Sequence, residues 1–126
     1  MVLSETIPAK LTPVLLEERL VDFAVRMVKL GQALDKGDTG RSIGGQLIRA
    51  GTSPAANYAE ARSAESRADF VHKLRIVIKE LNETSVWLRI IAKAELLPSQ
   101  ALAALQDECA ELQRIIGASL RTANKP

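Results

Sequence analysis

The sequence predicts an all-α protein, an antiparallel up-down-up-down four-helix bundle in a single domain. Apolar residues recur at alternating four- and three-residue steps along four stretches, the spacing that keeps them on one stripe of a helix. Clusters of glycine, proline, serine and aspartate separate those stretches. Nowhere do apolar and polar residues alternate as in a half-buried strand. The chain of 126 residues suits one domain, and 47% hydrophobic with 25% charged residues is the composition of a folded core under a solvated surface.

The first helix is expected from about Pro13 to Asp35, with Leu16, Leu20, Phe23, Met27, Leu30 and Leu34 as its seam. Asp35-Lys36-Gly37-Asp38-Thr39-Gly40 stops it, and Asp38 or Thr39 is placed to cap the next helix by accepting from its first free amides. That second helix carries Ile43, Leu47, Ala50, Pro54, Asn57 and Ala61 in the same rhythm. Pro54 removes a backbone donor and pushes against the Ala50 carbonyl. One helix bent near Pro54 keeps the phase of the pattern; two shorter helices are the alternative. The third helix, about Ser66 to Glu95, has Phe70, Leu74, Val77, Leu81, Thr84, Leu88 and Ile91 on its seam. Leu97-Pro98-Ser99 ends it, and Ser99 is placed to cap a fourth helix with Leu102, Leu105, Cys109, Leu112 and Ile116 inward. Short connections between long helices imply antiparallel neighbours.

Residues 1–12 are expected to form a flexible N-terminal segment, 13–122 the bundle and 123–126 a frayed end. Met1 to Leu11 lacks the basic start and apolar run of a signal peptide. No apolar run approaches the roughly 20 residues of a bilayer span. The expectation is a cytoplasmic protein without membrane contact, its one cysteine reduced.

More residues are apolar than one bundle can bury. Val14, Val21, Val25 and Val28 lie nearly opposite the first helix's seam, and Ile76, Trp87 and Ile90 flank the third. Either broad helices pack widely inside a monomer, or these residues form an interface between copies. The second reading is preferred, because an exposed four-valine face promotes association.

Side-chain chemistry points away from an enzyme. One histidine, His72, excludes a multi-histidine metal site, and one cysteine excludes a disulfide framework. The di-iron sites of some bundles need Glu-x-x-His on each of two helices; Asp69-Phe70-Val71-His72 offers a single acidic near-match. Gly37-Asp38-Thr39-Gly40-Arg41-Ser42 lacks the spacing and lysine of a phosphate loop. Cys109 lies on an apolar seam, where a small core residue belongs. No catalytic, cofactor-binding or metal-ligating residue is assigned. The four aromatic residues are too few for a stacking platform.

Two polar patterns remain. Arg49, Asn57 and Glu60 are expected to join Glu80 or Glu83 in a structural network that sets helix register or a subunit contact. On the outer face of the third helix, His72, Arg75, Lys79, Asn82, Val86, Arg89 and Lys93 follow one another at three- and four-residue steps without an acid, and Arg62 and Arg67 lie just upstream. In a monomer such a face serves solubility; repeated around a ring it becomes a basic belt suited to phosphates. Arg62, Arg67, Arg75, Lys79, Arg89 and Lys93 are therefore the candidate nucleic-acid contacts.

Gln46-Leu47-Ile48-Arg49-Ala50-Gly51-Thr52-Ser53-Pro54-Ala55-Ala56-Asn57-Tyr58-Ala59-Glu60-Ala61 resembles the signature of a small bacterial four-helix bundle family. That family includes proteins encoded in intervening sequences of large-subunit ribosomal RNA genes and accessory proteins of diversity-generating retroelements. The likeness continues through Ala68-Asp69-Phe70, Lys73-Leu74, Lys79-Glu80-Leu81, Glu83-Thr84 and Trp87-Leu88-Arg89. It implies a left-handed bundle assembled as a homopentamer, with members of the accessory type binding nucleic acid and a reverse transcriptase through basic surface. This chain departs in having Pro54-Ala55, and in having Val86 where a second aromatic often precedes the tryptophan. Together these readings predict a non-enzymatic homo-oligomer that binds RNA or DNA, or a nucleoprotein partner, electrostatically. The alternative is a protein–protein interaction scaffold with no nucleic-acid role.

Overall fold

Thr12 and Pro13 set where the first helix begins. In the computed structural model, which describes residues 11–126, the Thr12 side chain accepts a hydrogen bond from the Leu15 amide at 3.2 Å. Pro13 fills the first turn, where no N–H is needed. Helix α1 spans Pro13–Ala33, α2 Gly37–Arg62, α3 Arg67–Lys93 and α4 Ser99–Ala123, and the described residues contain no strand. Of the expected flexible segment 1–12, residues 1–10 lie outside the described residues. The fourth helix reaches Ala123, one residue past the expected boundary.

Two expected caps are corrected. Neither Asp38 nor Thr39 caps α2: the helix already begins at Gly37, after Lys36, which makes no side-chain cap bond. Gly37 has φ 82°, a left-handed conformation that a side chain resists, so glycine decides where the chain turns. Asp38 instead lies in the first turn, where its charge faces the positive helix end. Ser99 is likewise the first residue of α4, preceded by an extended Pro98 without a side-chain cap bond. At α3 the Ser66 hydroxyl does cap, accepting from the Asp69 amide at 3.0 Å. That helix closes with Glu95 at φ 56°. The Glu95 amide donates to the Ala92 carbonyl and the Leu96 amide to the Ile91 carbonyl, each at 3.1 Å. This is the left-handed stop usually built with glycine.

Successive helices pack on one another, α1 meets α4 with the least contact, and the backbones of neither diagonal pair come close. That adjacency makes an antiparallel four-helix bundle. The seams of α1 and α4 are buried as their periodicity predicts, from Leu16 to Leu34 and from Leu102 to Ile116. On α3 the seam is buried from Leu74 to Ile91, with Val71 rather than Phe70 buried in its first turns. The second helix passes through Pro54 without a break, so the two-helix alternative is excluded. Pro54 is buried, and both α1 and α3 pack on α2.

On α2 Leu47, Ala50, Pro54 and Ala61 are buried as expected, whereas Ile43 and Asn57 are half-buried at the edge and Gly44, Gly51 and Tyr58 are buried in addition. Small residues let the backbones meet: a Cβ on Gly44 would stand 2.6 Å from the Gly31 carbonyl oxygen of α1. Gly51 instead makes room for the side chain of Met27.

Candidate nucleic-acid interface

Helix α3 uses its two flanks to pack on α2 and α4, which leaves one face to water. His72, Arg75, Lys79, Asn82, Val86, Arg89 and Lys93 are all exposed there. Among the described residues, Arg67, Arg75, Lys79, Arg89 and Lys93 form no ion pair; Lys73 is the one cation of α3 that does. The Lys73 ammonium reaches Glu60 of α2 at 2.6 Å, and this hydrogen bond raises its pKa. Asn82 is held by Gln113 of α4 at 2.8 Å. Arg62 does not share this face. Its guanidinium lies 2.9 Å from Glu17 of α1, so its charge is already met by a carboxylate.

The expected polar network exists only in part. Arg49 donates to Glu80 at 3.3 Å, to Glu83 and to Gln46, tying α2 to α3. The Glu83 carboxylate also accepts from the Trp87 indole at 3.0 Å. Asn57 and Glu60 stand apart from it. The Asn57 amide donates to the Ser53 hydroxyl at 2.9 Å and to the Ser53 carbonyl at 3.1 Å. The reason is one of register: Tyr58 takes the inward place and turns Asn57 to the edge, where its own helix satisfies it. Glu60 is engaged by Lys73.

Of the residues assigned to a subunit interface, Val14, Val21, Val25 and Ile90 are exposed, Val14 at 55% and Val25 at 46%. Val28, Ile76 and Trp87 are half-buried within the monomer. Arg19 of α1 meets Glu108 of α4 through two hydrogen bonds of 2.7 Å each. No spacing rule reaches a partner 89 residues away, so this pair had no signal in the sequence. Cys109 is buried and its thiol donates to the Leu81 carbonyl at 3.5 Å. Desolvation pushes its pKa up to about 12, which keeps it a neutral thiol.

Residues 17–118, well over half of the chain, match the family model described as 23S rRNA-intervening sequence protein. The chain belongs to that family. A crystal structure of a protein of unknown function from the S23 ribosomal protein family of Bacteroides thetaiotaomicron has the same fold, with a TM-score of 0.81. It is 31% identical in sequence over 86% of this chain and 97% of its own. No curated protein matches the chain. As a member of the 23S rRNA-intervening sequence protein family it carries the four-helix bundle on which the α3 face is displayed, and none of its described helices is long and apolar enough to cross a membrane.

Proposed function

We propose that this protein is a non-enzymatic homo-oligomer that binds RNA or DNA electrostatically through the outer face of α3. One observation carries the reading: Arg67, Arg75, Lys79, Arg89 and Lys93 are exposed and unpaired, with no carboxylate interleaved among them. Cations held by neighbouring carboxylates have little left for phosphates; these are unspent. The family name ties its members to ribosomal RNA genes, which favours RNA as the first polymer to test. Binding of this kind releases counterions, ignores base sequence and weakens steeply with salt.

Self-association supports the same reading, because Val14, Val21 and Val25 leave an apolar strip along α1. In an assembly the α3 faces repeat, and weak contacts add through multivalency. The direct test is filter retention of unrelated RNA and DNA across a salt series. Retention should fall as salt rises, and Arg75→Glu with Lys79→Glu should weaken it at least about tenfold. Unchanged retention in that double variant would falsify the assignment of this face. The α1 strip also suits the alternative, a scaffold for a protein partner. Nuclease-resistant capture of one protein, with no retention of nucleic acid, would select it.

A further inference from the structure

The bundle end where α1 and α3 begin, and α2 and α4 finish, is less tightly filled than the middle. A cleft of about 640 Å³ opens there, within the size range of small-molecule sites. Leu16, Phe70, Ile115 and Ala118 give it an apolar wall, and Arg67 and Arg114 line it as well. No aspartate or glutamate is among its described lining residues. Arg114 is engaged by Glu111 on its own helix, whereas Arg67 has no ion-pair partner among the described residues. An adjoining cleft of about 550 Å³ adds Arg75 and Lys125, with no aspartate or glutamate among its described lining residues.

Tyr58 marks the inner side. It is 5% exposed, lines this cleft and a second of about 470 Å³ beside it, and its hydroxyl has no hydrogen-bond partner among the described residues. A buried hydroxyl without a partner is costly unless something else accepts its proton. Desolvation raises the phenol's pKa, so at neutral pH it offers a donor. The cleft thus combines an apolar wall with donors and cations, while Glu17, whose charge reaches Tyr58, and Glu111, which holds Arg114, are not among its lining residues. A neutral hydrocarbon would leave those donors unused, and a bare phosphate would leave the apolar wall wet.

We propose that this cleft binds a small amphipathic carboxylate, its hydrocarbon body against Phe70, Ile115 and Ala118 and its anionic end taken by Arg67, with Tyr58 as a further donor. Arg67 is the first residue of α3, so that helix's N-terminal amides add to the positive field. Arg67 is shared with the nucleic-acid reading, but the cavity is not, so variants in the cavity wall and on the far part of the α3 face tell the two sites apart.

Calorimetric titration of the full chain with octanoate, and with octanol as the neutral counterpart, tests it. Octanoate should bind, and octanol about tenfold more weakly, the effect of losing a charged hydrogen bond. Arg67→Glu should weaken octanoate by at least about tenfold. Ala118→Trp, at an exposed helical position, should fill the cleft and abolish binding while leaving RNA retention unchanged. Lys79→Glu should do the reverse. Failure of octanoate to bind, equal binding of octanol, or unaltered binding in Ala118→Trp would each overturn the proposal without touching the α3 assignment.

Discussion

Gly44 and Gly45 are adjacent in the chain and opposite in surroundings. A methyl group on Gly44 would press on the Gly31 carbonyl, whereas one on Gly45 meets nothing within 4 Å. Gly44→Ala should therefore lose about 2 kcal/mol of stability as the helices are forced apart. Gly45→Ala should gain about 0.8 kcal/mol from helix propensity. Urea melts of the two variants check both signs, and equal effects would mean that α1 and α2 do not touch here. Cys109 supplies a second test. Its pKa is about 12 when folded against an ordinary 9.0, so above pH 9 the unfolded chain releases a proton that the folded one keeps. Stability is then highest below pH 9 and falls as pH rises toward 12, by up to about 1.4 kcal/mol per unit. Cys109→Ala should show a shallower decline over pH 9 to 11 than the parent.

Each helix shows which of its features the chain spells out. The seams of α1 and α4 were legible because water expels leucine, phenylalanine and isoleucine wherever the helix turns them inward. The α2 seam was legible at Leu47, Ala50, Pro54 and Ala61 but not at Gly44 and Gly51, which pack by having no side chain and leave no apolar signal. Tyr58 was passed over for Asn57 because a three-residue step from Pro54 reaches Asn57 and a four-residue step reaches Tyr58, and the rhythm allows both. Helix ends depended on backbone geometry at Gly37 and Pro98, which overrode the nearby polar side chains. The basic residues of α3 were identifiable as a face by spacing, but which cations were neutralised required the fold, as Arg62 with Glu17 shows. Helix α3 carries a prediction of its own. Glu95 holds a left-handed conformation that costs a non-glycine residue roughly 1 kcal/mol. Glu95→Gly should raise the midpoint of thermal unfolding, and a lowered midpoint would show that the glutamate side chain contributes more than its backbone costs.

For the whole molecule, the open question of assembly reduces to the fate of the α1 valines. A compact particle of 13.7 kDa in light scattering would mean that Val14, Val21 and Val25 stay in water. A larger particle that Val21→Glu with Val25→Glu reduces to 13.7 kDa would place them between copies. The expected result is the larger particle, since charge on a buried contact carries a desolvation penalty that a solvated strip would not feel.

The sparse contact between α1 and α4 has a mechanical consequence. The two outer helices run antiparallel, so the beginning of α1 and the end of α4 lie at the same end of the bundle, and a force applied there pulls on a seam in which Arg19–Glu108 is the one ion pair among the described residues. Pulled by its extremities, the molecule opens as a zip, tooth by tooth, without first shearing its whole length.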